Sequence, residues 1–188
     1  MEHITILFRG GQCGNYLGIN VGKYITNRIT NEEIPYDPVS NEYFTSKFNI
    51  SKYNITCSHI NLLDNFSIEP FSKIIIINNN WNICYTETLG GIKFSIKNNK
   101  LGNFQYHSKK IEEFQNLVKQ YNESSKEFKQ KEYDVFDLEF KDLFIDKNKN
   151  KYIGLCNWLD AEYSNAGYLH LCQYVDKNTA LMEKYASV

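Results

Sequence analysis

Arginine is nearly absent from this 188-residue chain: of 21 basic residues only Arg9 and Arg28 are arginines. Basic and acidic residues balance to a formal charge of -1, so the basic excess of a nucleic-acid binder is missing and no nucleic-acid partner is expected. The five cysteines, Cys13, Cys57, Cys84, Cys156 and Cys172, are odd in number and widely spaced, with no CxxC pair. That pattern argues against a disulfide framework and against a structural zinc site. No run approaches the ~18 apolar residues of a membrane span, so no membrane partner is expected. Met1-Glu2-His3 leads straight into a strand-like run with no charged and then apolar leader before it, and a cytoplasmic location is the expectation. Internal repeats and long linkers are also missing, which points to a single domain over residues 1–188.

What is present is a core. Hydrophobic residues make up 42% of the chain and aromatics 15%, the composition of a folded globular protein. Residues 4–8 (ITILF) are apolar on both faces, the pattern of a parallel strand buried between helices. A glycine-rich turn follows, then a helical pattern over 15–28 carried by Leu17, Val21, Tyr24 and Ile25. Residues 31–53, with Pro35 and Pro38, read as an irregular connection. Residues 54–60 read as a short strand ending near His59, and Cys57 and Cys84 as small buried hydrophobes. KIIII over 73–77 is the most strand-like run, broken by Asn78-Asn79-Asn80. A helix is predicted over 81–89, with Asn80 as N-cap and Gly90-Gly91 as its end. Residues 92–106 fit either a hairpin or a plain loop around Asn98-Asn99-Lys100. Ile111, Phe114, Leu117, Val118, Tyr121 and Phe128 form an apolar stripe that predicts a long amphipathic helix over 108–131. Residues 133–140 alternate as a strand does, and 147–159 and 165–185 carry helical periodicity. Strands alternating with helices predict an α/β sandwich with a mainly parallel sheet.

Ligands in such folds bind beyond the carboxyl ends of the strands. Three strand ends therefore matter: Arg9-Gly10-Gly11, His59 and Asn78-Asn79-Asn80. In RGGQCGNYLG the glycines let backbone N–H groups approach a ligand, and Arg9 adds a permanently charged bidentate donor. The loop reads either as an oxyanion cradle or as a tight turn in which glycine relieves crowding. It lacks the GK[ST] of a Walker A loop and is not GxGxxG. Asn78 to Asn80 read first as a strand terminator and cap, with ligand contact as the second reading. Trp81 fits a core position or a base-stacking one. His107 and His170 fall on helix-like segments with no metal-ligand partner in spacing, and Glu139 and Asp142 read as solvated charges.

Two resemblances bear on these residues. GQCGNYLG, Gly11 to Gly18, is similar to the first nucleotide-contacting loop of tubulin. The second phosphate loop of that family, of the GGGTGSG type, has no counterpart here, since Gly90-Gly91 is the only other glycine pair. The second resemblance spans the chain. ITCSHINLLDNFSIEPFSKIIIINNNWNICYTETL resembles the central block of nucleotide-dependent sulfotransferases. His59 stands at the histidine of that family's Thr-His-Leu-Pro-like strand end. Lys73 to Ile77 match its K-I-I strand, and Thr86 stands at its helical Ser. YDVFDLEFKDLF and KYIGLCNWLD are similar to a late strand and the helix after it.

That resemblance implies a P-loop-like three-layer sandwich and transfer of a sulfuryl group from 3′-phosphoadenosine 5′-phosphosulfate to a hydroxyl on a small molecule or glycan. Arg9, Gly10, Gly11, Gln12, Cys13, Gly14, Asn15 and Tyr16 become the sulfate loop. Asn78 and Thr86 fall at the 3′ phosphate, and His59 becomes the general base, with Arg9 beside it in the catalytic set. The chain departs from the family at two points. The first loop lacks the family's paired hydroxyls, and Asn78 replaces its 3′-phosphate arginine, so a hydrogen bond is kept and a charge is lost. The alternatives are a nucleotide-binding α/β protein of tubulin-like or kinase-like type, or a catalytically degenerate sulfotransferase-fold binding module.

Overall fold

The computed structural model describes residues 2–8, 12–30, 34–37, 42–43, 49–59, 72–79, 82–98 and 133–186. Strand β1 (Ile4–Phe8) is buried along its whole length, as its unbroken apolar run requires. After β1 come α1 (Gly14–Asn20), the short strands β2 (Tyr36–Asp37) and β3 (Glu42–Tyr43), β4 (Ile55–His59), β5 (Lys73–Asn78) and α2 (Ile83–Lys97). Then follow β6 (Asp134–Glu139), α3 (Phe140–Phe144), α4 (Lys149–Trp158) and α5 (Asn165–Tyr185). The main sheet has the order β4-β1-β5-β6, and each of its three pairings is parallel. The chain is therefore an α/β protein built on a parallel sheet. Residues 31–53 include an antiparallel β2–β3 ladder and a 3-10 turn over Ile50–Tyr53, which Asn49 caps from its side chain.

Alternation along the strands sorts the core. Ile4, Ile6, Phe8, Ile75, Ile77 and Leu138 join a cluster with side chains of α1, α3, α4 and α5. Leu7, Ile74 and Ile76 point to the other face, where all three are fully buried. Both faces of the sheet are thus covered. At the amino end of β5, Lys73 Nζ donates to Trp158 O and Asp160 Oδ2, each at 2.6 Å. This bond ties the sheet to the end of α4.

Helix boundaries follow local chemistry. Asn82, Asn148 and Ser164 cap α2, α4 and α5, each accepting from a backbone N–H three residues on. Asn82, not Asn80, is thus the cap of α2. Helix α2 also runs through Gly90-Gly91 to Lys97, where the sequence predicted a stop. The buried Leu89, Ile92 and Ile96 carry its apolar face across the glycine pair, so packing overrides a weak local propensity. Residues 92–97 are accordingly helical. The helix begun by α1 continues as a π-turn over Val21–Ile25, closed by Thr26 N to Val21 O at 2.8 Å, and stops short of Arg28. The predicted helix over 108–131 lies outside the described residues.

Candidate functional site

The strand ends converge as parallel pairing dictates. In register, Phe8 stands beside His59, and Asn78 beside Glu139. Beyond Phe8 lies a cavity of 330 Å³. Phe8, Cys13, Gly14, Asn15 and Tyr16 form one wall, from the end of β1 and the start of α1. Gly90, Lys93, Phe94 and Lys97 of α2 form the other, and Tyr174 of α5 completes it.

Cys13 caps α1 in the left-handed region, at φ 60°, and its side chain caps nothing. Asn178 Nδ2 donates to its sulfur at 3.7 Å. Tyr16 and Tyr174 stack with ring centroids 3.6 Å apart, which fixes a flat aromatic inner wall. Lys93 is buried, and its Nζ donates to Tyr174 Oη at 2.9 Å while lying 4.8 Å from that ring's centroid. Lys97, one turn on, is exposed.

Behind the cavity a hydrogen-bond chain locks α5 onto α1. Tyr152 Oη donates to Asn20 Oδ1 at 2.9 Å, and Asn20 Nδ2 donates to Tyr16 Oη at 3.2 Å and Gly167 O at 3.1 Å. Tyr16 Oη and His170 Nδ1 are 3.0 Å apart. Burial lowers the His170 pKa, reinforced by Lys23 and Lys177, which favours the neutral ring. Tyr16 Oη then has an acceptor for its own proton, and each group in the chain is satisfied. The Cys57 thiol sits under α1, donating to Gly14 O at 3.6 Å, and burial pushes its pKa up to about 12. It is a packed thiol rather than a nucleophile.

Of the residues singled out in the sequence, Cys13, Gly14, Asn15 and Tyr16 come together in this cavity. Gln12 is buried just ahead of them. Arg9, Gly10, Gly11, Trp81 and His107 lie outside the described residues, as does the side chain of His59. Asn78 and Thr86 are engaged elsewhere. Asn78 Nδ2 donates to Asp137 Oδ1 at 2.7 Å. The buried Thr86 hydroxyl accepts from Asn79 Nδ2 at 2.9 Å, within the cap of α2. Asp142 lies 3.7 Å from Lys151 Nζ. Lys93, Phe94, Lys97 and Tyr174 escaped sequence reasoning. The signal for the first three was the spacing 90, 93, 94, 97, hidden because Gly90-Gly91 was read as a helix end.

Two lysines, a tyrosine and aromatic surface thus line the cavity at the end of β1, an arrangement suited to an anion. Among the described residues no helix is long and apolar enough to cross a membrane, and no group of three or more His, Cys, Asp or Glu residues could hold a metal. No family model, curated protein or solved structure matches this chain.

Proposed function

We propose that the chain binds an oxyanion-bearing nucleotide at the carboxyl end of β1 and acts as a P-loop-like sulfuryl-transfer domain. The observation that carries this reading is the cavity there, faced by Lys93 and Lys97 on one side and by residues 13–16 on the other. Strand order supports it, because β4 and β5 flank β1 and the order reverses at that strand, the usual place for a ligand in an open parallel sheet. The resemblance to nucleotide-dependent sulfotransferases supplies the chemistry. In that scheme the acceptor oxygen bonds to sulfur as the sulfur–oxygen bond to the donor's phosphate breaks. His59 takes the acceptor's proton, and adenosine 3′,5′-bisphosphate leaves. The residues fit the 5′ end of 3′-phosphoadenosine 5′-phosphosulfate better than its 3′ end, where Asn78 is paired with a carboxylate.

Calorimetry with adenosine 3′,5′-bisphosphate and with the phosphosulfate donor tests the reading. Binding is expected at micromolar to millimolar concentrations, weakened about tenfold in Lys97→Ala, and turnover of a hydroxyl acceptor is expected to vanish in His59→Ala. No heat with either ligand at millimolar concentration would overturn it. A second reading, a binding module on the same fold that has lost transfer, is favoured by Asp137. A carboxylate beside Asn78 repels the 3′ phosphate that the donor carries. Ligand binding with no turnover selects that reading.

A further inference from the structure

Helix α2 turns a single stripe toward the cavity, Gly90, Lys93, Phe94 and Lys97, at spacings of three and four residues. The two lysines place positive charge on that wall, Lys93 at 5% exposure inside and Lys97 toward solvent. Between them Phe94 is 67% exposed, one of two large hydrophobic side chains left open among the described residues. A lone exposed phenylalanine is ordinary. This one lies on a cavity wall within one turn of two cations, and the stacked Tyr16 and Tyr174 rings face the same space.

We propose that this cavity takes an oxyanion carried on a flat ring, a sulfate or phosphate ester of a planar aromatic or heteroaromatic compound, with its charge toward Lys93 and Lys97 and its ring on Phe94. This rests on the oxyanion reading above and narrows it to one ligand class. A volume of 330 Å³ is at the lower end for small-molecule sites and suits one ring with one ester group. Stacking on an aromatic face adds affinity without hydrogen-bond readout, so the ring is selected by flatness.

The test is calorimetric titration of the full chain with inorganic sulfate, p-nitrophenyl sulfate, p-nitrophenyl phosphate and adenosine 5′-monophosphate. The ring-bearing esters are expected to bind about tenfold tighter than inorganic sulfate. Phe94→Ala is expected to erase that advantage while leaving inorganic sulfate unchanged, and Phe94→Tyr to keep it. Phe94 is exposed, so an unchanged melting temperature confirms that the alanine variant folds. Tighter binding of the nucleotide than of the nitrophenyl esters identifies a nucleobase as the ring; the reverse order identifies a simple aryl ester. Equal binding of sulfate and ring esters, or equal weakening of both by Phe94→Ala, overturns the ring subsite while the anion site stands. No binding of any of the four by a chain that binds adenosine 3′,5′-bisphosphate overturns the ring subsite alone; no binding of that bisphosphate either overturns both.

Discussion

A β-carbon built on Gly14 would lie 2.0 Å from the Phe8 ring, and one on Gly18 would lie 2.4 Å from Cys57 Sγ. Both glycines sit in α1 where it crosses β1 and β4, and a β-carbon on Gly22, four residues on, would lie 2.5 Å from Ile29 Cδ1. The permissive loop of the sequence is thus in part a close-packing stripe, since residues four apart share one helix face. Of the two readings of that loop, the crowded turn holds at Gly14, which leaves no room for a side chain and also lines the cavity. Sequence could show where the glycines fall but not which neighbours press on them, because those neighbours, Phe8 and Cys57, come from other elements. Gly18→Ala should cost about 1–3 kcal/mol through overpacking. In a Cys57→Ala background, where the sulfur is gone, the same change should cost clearly less. Urea denaturation of the four proteins measures the coupling, and additive losses would refute the contact. Gly154 is the counter-example: it lies inside α4, and a β-carbon there would meet nothing within 4 Å. Gly154→Ala should therefore stabilise by about 0.5–1 kcal/mol, seen as a rise of about 1–4 °C in melting temperature.

At the scale of elements, the strands were the most legible part. β1, β4, β5 and β6 fall where apolar runs or alternation predicted them, because a buried strand needs an uninterrupted or period-two pattern. Helix α5 occupies the predicted 165–185. The single turn α3 and the π-turn after α1 were not legible, being too short for any periodicity to develop. How α5 docks on α1 was equally hidden, since the link runs between His170 and Tyr16, 154 residues apart. That link has a pH signature. Groups facing His170 are Tyr16 on α1, Lys23 and the Tyr24 ring at 5.0 Å on the π-turn, and Lys177 on α5. Burial first, then the two lysines, lower the His170 pKa from 6.5. The unfolded chain therefore binds this proton more readily than the folded one. The stabilisation is full above about pH 6.5 and is lost as pH falls below it through the folded pKa. Wild type should lose melting temperature between about pH 7 and pH 5 more steeply than His170→Phe, which keeps the stack on Tyr16 and has no proton to take up. Parallel curves in thermal scans across that window would show that His170 contributes nothing to the pH dependence.

Across the whole molecule the division of labour is simple: hydrophobic pattern specifies the sheet, and side chains brought together from distant segments specify the cavity. The parallel α/β class was readable because it depends on patterns within single segments. The cavity was half readable, through residues 13–16, because its other wall lies on α2 and α5 and depends on how helices pack. The larger of the two core clusters runs through the fold. Ile4 and Phe8 from the first strand share a cluster with Leu138, Tyr152 and Val175 near the other end of the chain. Contacts that join residues so far apart cannot be lost piecemeal, so unfolding of this core should be a single cooperative step. Trp158 reports on it from the end of α4, where its Nε1 donates to Asp134 Oδ1 at 2.7 Å and its ring packs on Phe136 at 5.4 Å. The chain has two tryptophans, so Trp81→Phe leaves Trp158 as the sole indole. In urea the Trp158 fluorescence and the far-ultraviolet circular dichroism of that variant should then trace one transition with the same midpoint, with a slope of about 1–3 kcal/mol/M. If fluorescence moved at lower urea than circular dichroism, α4 and β6 would be a separately melting unit, and the larger core seen from Ile4 to Val175 would not act as one.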